Sequence, residues 1–342
     1  MGTVSMLTEL DYLPDGLLQV EATGLHTVLP GPTLIHLPGR REAPLFVSIL
    51  LHGNEDTGLK ALQMVLKKYQ NQLLPRALSL YIGNVTAARA GVRRLENQLD
   101  YNRVWSLENG AVVTEEHRMM RQIISIMAHR KVFASIDIHN NTGLNPHYAC
   151  VNRLDDAFLH LATMFSRIVV YFTHPKGVQS EAFARLCPAV TVECGKPGGI
   201  GGIEHAACFV EGALHLSAFP AHPVASQDLE LFQSVAVVTV PQEISLSVGD
   251  PATDLCLIEN IDYYNFRLLD PGTHLAVVAP GCAKPLQVRN GLGCDMSAHY
   301  FENRDGNLLT RQLVMPAMLT RDTRIIRQDC LCYLMERLDR KP

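Results

Sequence analysis

Short apolar runs alternate with stretches of helical spacing along the first two-thirds of the chain. Residues 45–51, 78–83, 132–138, 167–172 and 188–193 are near-continuous apolar blocks bounded by polar or turn residues, the pattern of buried strands. Between them, Leu59, Leu62, Leu66, Tyr69 and Leu73 recur at helical spacing, with Asp56 or Thr57 placed to cap that helix. A second helix is predicted from Glu115 to Arg130, with acidic residues in its first turn and Ile123, Ile124 and Met127 on its inner side. Further helices are expected from Asp156 to Ser166 and from Ile203 to Leu216. Such alternation builds a layered α/β domain, expected over residues 1–218. After Pro220 and Pro223 the pattern changes. The segments 235–240, 255–258, 274–278, 308–314 and 323–326 are short and broken by Gly, Pro and Asp, which predicts a small β-rich domain over residues 225–342.

In open α/β sheets, ligands collect at the carboxyl ends of the strands. His52 and Glu55 follow the first apolar run, and His139 ends the third. A His-x-x-Glu pair alone means little among fourteen histidines; its conjunction with a third strand-end ligand gives it weight. Two imidazoles and one carboxylate form the three-ligand set of a catalytic zinc, whose fourth position stays open for water. Glu193 ends another β-branched run, where a buried carboxylate is costly without a role or partner. It is the candidate general base, taking a proton from water whose pKa zinc lowers towards about 7. Asn102-Arg103 offers a planar guanidinium fork and an adjacent amide, a pairing suited to a substrate carboxylate. The alternative is that Arg103 pairs with Asp100 or another acid on a loop.

The order His52-x-x-Glu55, Asp100-Tyr101-Asn102-Arg103, Asp137-Ile138-His139-Asn140 and Val192-Glu193 resembles the aspartoacylase and succinylglutamate desuccinylase family, a branch of the zinc carboxypeptidase superfamily. The resemblance implies an α/β/α sandwich around a mixed sheet, followed by a small C-terminal β domain bordering the active site. It implies one Zn²⁺ per chain on His52, Glu55 and His139, with Glu193 as base. It also implies an arginine shortly before the Asn-Arg pair. Arg94 is taken for that role, with the adjacent Arg93 as the other choice because the spacing is one residue longer. Asn102 and Arg103 would then hold the substrate, joined by Asn140 and by an inward-reaching tyrosine matched by Tyr300.

The activity so implied is hydrolysis of the amide bond of an N-acyl amino acid, a small anionic substrate. A metallocarboxypeptidase acting on peptide C-termini is the second reading. A binding module without catalysis is the third, weakened because ligands, base and anchor are all present. Aspartoacylase-type enzymes carry a further arginine shortly before the base; here Arg185 is near but out of register, so specificity for an acidic acyl group is not supported. Members of the resembled family often form dimers or larger assemblies.

Composition narrows the partners. The net charge is only −4 and no basic block tracks a phosphate backbone, which disfavours nucleic acid. Apolar runs of about seven residues fall well short of the roughly 20 needed to cross a bilayer. Met1 to Glu9 has neither a basic n-region nor an apolar h-region, and nine scattered cysteines fit reduced thiols, so a cytoplasmic location is expected. The glycines of Gly198-Gly199-Ile200-Gly201-Gly202 lack the dinucleotide-binding order and predict a flexible loop after Glu193. Neither a Gly-x-Ser-x-Gly elbow nor a His-Glu-x-x-His helix occurs, which disfavours serine hydrolases and thermolysin-like enzymes.

Overall fold

The computed structural model describes residues 6–106 and 112–339. Met1 to Ser5, where the N-terminal segment expected to carry no export pattern begins, and the last three residues of the expected β domain lie outside the described residues. The chain divides into two compact units, one of residues 1–140, 147–171 and 175–230, the other of residues 141–146, 172–174 and 231–342.

The first unit is built on strands β1 (Thr8–Leu10), β2 (Thr33–Leu37), β3 (Leu45–Ile49), β4 (Leu78–Ile82), β5 (Ala134–His139), β6 (Tyr148–Val151), β7 (Ile168–Tyr171) and β8 (Ala189–Glu193). They form a mixed sheet in the order β1-β2-β4-β3-β5-β8-β6-β7. The central pairs β4/β3, β3/β5 and β5/β8 are parallel, while β2/β4 and β6/β8 are antiparallel. Every residue of β3, β4, β5 and β8 is buried, which is why these segments read as unbroken apolar runs rather than alternating ones.

The helices are α1 (Thr57–Lys68), α2 (Val85–Ala90), α3 (Glu115–His129), α4 (Asp156–Phe165), α5 (Gln179–Phe183) and α6 (Ile200–His215). Helix α1 stops at Lys68, so Tyr69 and Leu73 lie beyond the helix their spacing suggested. Helix α3 begins at a reciprocal cap between Thr114 and His117, which satisfies amides that a helix start leaves unpaired. The glycine run after Glu193 is not a flexible loop. Gly199 caps α6, and Gly201 and Gly202 lie inside the helix. A Cβ on Gly202 would come within 2.2 Å of the Cys194 carbonyl oxygen, so the glycine lets α6 pack directly on the chain leaving β8.

The second unit carries β9 (Glu230–Thr239), β10 (Leu246–Val248), β11 (Leu255–Leu257), β12 (His274–Val278), β13 (Gln287–Asn290), α7 (Ser297–Tyr300), β14 (Phe301–Arg304), β15 (Asn307–Thr310), β16 (Met315–Ala317), α8 (Thr323–Gln328) and β17 (Cys332–Arg337). One sheet runs β10-β11-β12-β15-β14, and β9 pairs with β13 and β17, the latter with β16. Residues 323–326, expected as a strand, belong to α8. Asp322 accepts from the amides of Arg324 and Ile325 at 2.9 and 3.4 Å and so starts a helical turn. Among the described residues no helix is long and apolar enough to cross a membrane.

Candidate metal centre and substrate anchor

Directly after β3 the backbone takes the left-handed conformation at Leu50, with φ of 53° in a fully buried leucine. Such a conformation costs of order 1–3 kcal/mol and persists only where the surrounding structure imposes it. It turns the chain into the His52–Glu55 loop. Gly53 lets that loop pass α2, since a Cβ there would come within 2.2 Å of the Ala87 and Ala88 backbone.

The loop brings His52 and Glu55 together with His139 at the end of β5. Glu55 bridges the two rings, Oε1 to His52 Nδ1 at 2.8 Å and Oε2 to His139 Nδ1 at 2.7 Å. One ligand atom from each of the three lies within 4.8 Å of the others, and all three residues are buried. The far nitrogens are anchored too: His52 Nε2 meets Asp100 Oδ1 at 3.0 Å and His139 Nε2 meets Asp137 Oδ2 at 2.8 Å. A carboxylate behind each imidazole fixes the ring and leaves Nδ1 as the inward-facing atom, as metal-ligating histidines require.

Electrostatics agree. Burial and Arg93 push the His52 pKa down, but Glu55 and Asp100 outweigh them and raise it. Burial likewise opposes the charge on His139, yet Asp137 and Glu55 hold its pKa well above the ordinary histidine value. Burial would raise the Glu55 pKa, and the two imidazoles instead hold it far below the usual carboxylate range. A divalent cation fits this donor set, because one carboxylate and two imidazole nitrogens that approach one another this closely are the ligands such an ion takes.

Arg93, not Arg94, faces this cluster. Its guanidinium lies 3.5 Å from Glu55 Oε1 and 3.2 Å from Asp100 Oδ2, with the side chain 7 % exposed. Arg94 turns away and donates to the backbone carbonyls of Gln98 and Glu96 at 3.0 and 3.5 Å. Adjacent residues in this turn point in different directions, and spacing alone does not choose between them.

Asn102 is buried beside the cluster. Its Nδ2 lies 3.2 Å from His139 Nε2, and its Oδ1 accepts from the Gln179 amide at 2.9 Å. Arg103 is half-buried, donates to the Asn102 carbonyl at 2.9 Å and adds to the field that keeps Asp100 ionised. Asn140, expected to hold substrate, is otherwise engaged. Its Nδ2 donates to Thr57 Oγ1 and the Gly195 carbonyl at 2.8 Å each, and its Oδ1 accepts from the Thr57 amide at 3.2 Å. With both donors and the acceptor in use, Asn140 ties the start of α1 to the chain beyond β8.

Glu193 ends β8, 8 % exposed, directly across from His139 on β5 and Tyr148 on β6. Register therefore aligns ligand, carboxylate and phenol across three strands. Arg185 is exposed, and Glu181 of α5 pairs with Lys176 at 2.9 Å. Tyr300 lies in the second unit, buried in that unit's apolar cluster with its ring edge-on to His299. Sequence reasoning missed Asp100 as the partner of His52, and Gln179 and Ser48 altogether. The signal for Ser48 was a lone polar residue inside an apolar run.

Comparison with known proteins adds the family. The catalytic-domain model of succinylglutamate desuccinylase/aspartoacylase matches residues 45–217, just over half of the chain. No curated protein matches it by sequence. Among solved structures, the succinylglutamate desuccinylase from Chromobacterium violaceum superposes with a TM-score of 0.56 at 18% identity, covering 88% of this chain and 87% of that one. Murine aminoacylase 3 gives 0.56 at 15% identity, covering 87% and 96%. The product-bound ectoine utilization protein EutE from Ruegeria pomeroyi gives 0.53 at 16% identity, covering 90% and 88%. At such identities these likenesses speak for the fold alone. The family match carries His52, Glu55, Asn102, Arg103, His139 and Glu193 within one stretch, and the chain belongs to the succinylglutamate desuccinylase/aspartoacylase family.

Proposed function

We propose that the protein is a zinc-dependent hydrolase that cleaves the amide bond of an N-acyl amino acid. The observation that carries this reading is the buried His52–Glu55–His139 cluster at the carboxyl edge of the sheet, with Glu193 in register beside it. Held by those three residues, zinc would supply Lewis acidity and a water acidified towards neutrality. Glu193 takes the proton from the attacking water and returns it to the departing nitrogen. Arg93 places positive charge next to the cluster, where it can offset charge developing on the carbonyl oxygen. Arg103 and the Asn102 amide grip the carboxylate of the amino acid product half. The relatives named as a desuccinylase and an aminoacylase support an acylated amino acid as the substrate class. The nine free cysteines support a reducing, cytoplasmic setting.

The test is a hydrolysis screen of zinc-loaded protein over N-acetyl, N-succinyl and N-formyl amino acids and short peptides. Turnover is expected in the acyl amino acids, and release from peptides alone would transfer the assignment to a metallocarboxypeptidase. Glu193→Gln is expected to keep zinc but lose turnover by at least the roughly 10²–10⁴-fold that positioned proton transfer contributes.

A further inference from the structure

Ser48 and Asp137 face each other across the parallel β3/β5 pair, and both are completely buried. The Ser48 hydroxyl donates to Asp137 Oδ1 at 2.6 Å, while Asp137 Oδ2 accepts from His139 Nε2 at 2.8 Å. Among the described residues these are the two hydrogen-bond partners of that carboxylate. Asp100, behind the other histidine, is differently supported: Arg93 lies 3.2 Å from one oxygen, and the Asn102 amide donates to the other at 2.7 Å. The two histidines thus have unequal backing, a cation and an amide for His52 against a single hydroxyl for His139.

A carboxylate taken out of water needs each oxygen satisfied by a donor to stay in place. We infer that Ser48 is a positioning residue of the metal centre: its hydroxyl holds Asp137 in the one orientation that aims Nδ1 of His139 at Glu55. Without the hydroxyl, Oδ1 of Asp137 has no donor in an apolar sheet interior, and the carboxylate is free to turn. His139 then loses the anchor that fixes its ring. The inference rests on the reading of His139 as a metal ligand given above.

The experiment measures zinc dissociation constants by chelator competition in the full chain. Wild type, Ser48→Ala, Ser48→Thr, Asp137→Asn and Ser48→Ala/Asp137→Asn are compared, with metal-free melting curves alongside. Ser48→Ala is expected to melt somewhat below wild type without metal, because a buried carboxylate oxygen loses its donor, and, in the folded protein, to bind zinc about tenfold more weakly, the lower end of what outer partners of metal ligands contribute. Ser48→Thr, which keeps a hydroxyl, is expected to restore much of that affinity. In the Asp137→Asn background, Ser48→Ala is expected to cost nothing further, because its effect passes through Asp137.

Wild-type affinity in Ser48→Ala overturns the inference, as does an undiminished loss in the Asp137→Asn background. Should the alanine variant not fold, Ser48→Cys, similar in volume but a weak donor, reads the same constant, and wild-type binding there overturns the inference equally. Absence of zinc binding in the wild type would instead overturn the metal reading itself, so the two failures are distinguishable.

Discussion

Arg93 and Arg94 are identical neighbours that the fold uses in opposite ways. One is buried against Glu55 and Asp100, and the other binds loop carbonyls. Arg93→Ala is expected to lower kcat/KM by roughly 10²-fold or more, as the loss of a preorganised charge near the reacting carbonyl does. Arg94→Ala is expected to stay within a few-fold; equal losses in the two variants would return Arg94 to the site. A second residue-scale effect concerns Tyr101, a buried neighbour of Asn102. Burial pushes its phenol up to about 12, against about 10 in an unfolded chain. The folded state therefore holds the proton more tightly. Its contribution is fully present below pH 10 and is lost as pH rises from about 10 to 12, a change of roughly 3 kcal/mol. Denaturant midpoints measured across that range should fall, and Tyr101→Phe should flatten the slope. An unchanged slope in that variant would remove Tyr101 as its source.

The strands and helices of the first unit were largely readable because their signals are local. Apolar blocks and helical spacing place β3, β4, β5, β7, β8, α1, α3 and α4 to within a few residues. β1, β2, β6, α2 and α5 carried no signal strong enough to be read, and one misreading has a tertiary cause. Gly201 and Gly202 look like loop residues by propensity, but both lie in α6, and at Gly202 the nearby Cys194 carbonyl leaves no room for a Cβ. Gly202→Ala separates the two effects. Intrinsic helix propensity favours the alanine by about 1 kcal/mol, while a Cβ at 2.2 Å from a carbonyl oxygen forces the backbone apart. The clash should win, with a net destabilisation of about 1–3 kcal/mol by urea midpoint. A stabilised variant would show that α6 can shift freely on β8. In the second unit, Thr323–Gln328 is helical because the Asp322 cap outweighs the strand preference of its isoleucines.

At the scale of the molecule, sheet topology gathers residues more than eighty positions apart into one cluster that could hold a metal ion. Zinc that binds only the folded chain should stabilise it by about 2.7 kcal/mol at a hundredfold excess over its dissociation constant. Chelation should lower the thermal midpoint accordingly, and Glu55→Ala should abolish the dependence. A midpoint indifferent to zinc would take the metal out of this cluster.

Residue types at the strand ends, read from the chain alone, pointed to the candidate ligand set and candidate base and determined the layered α/β class, because strand blocks and ligand chemistry are local properties. The folded structure decided which arginine faces the His52–Glu55–His139 cluster and that Asn140 is held by Thr57 and Gly195. It also joined Ser48 to His139 through Asp137. Those outcomes depend on side-chain direction and cross-strand register, and neither is set until the sheet has formed.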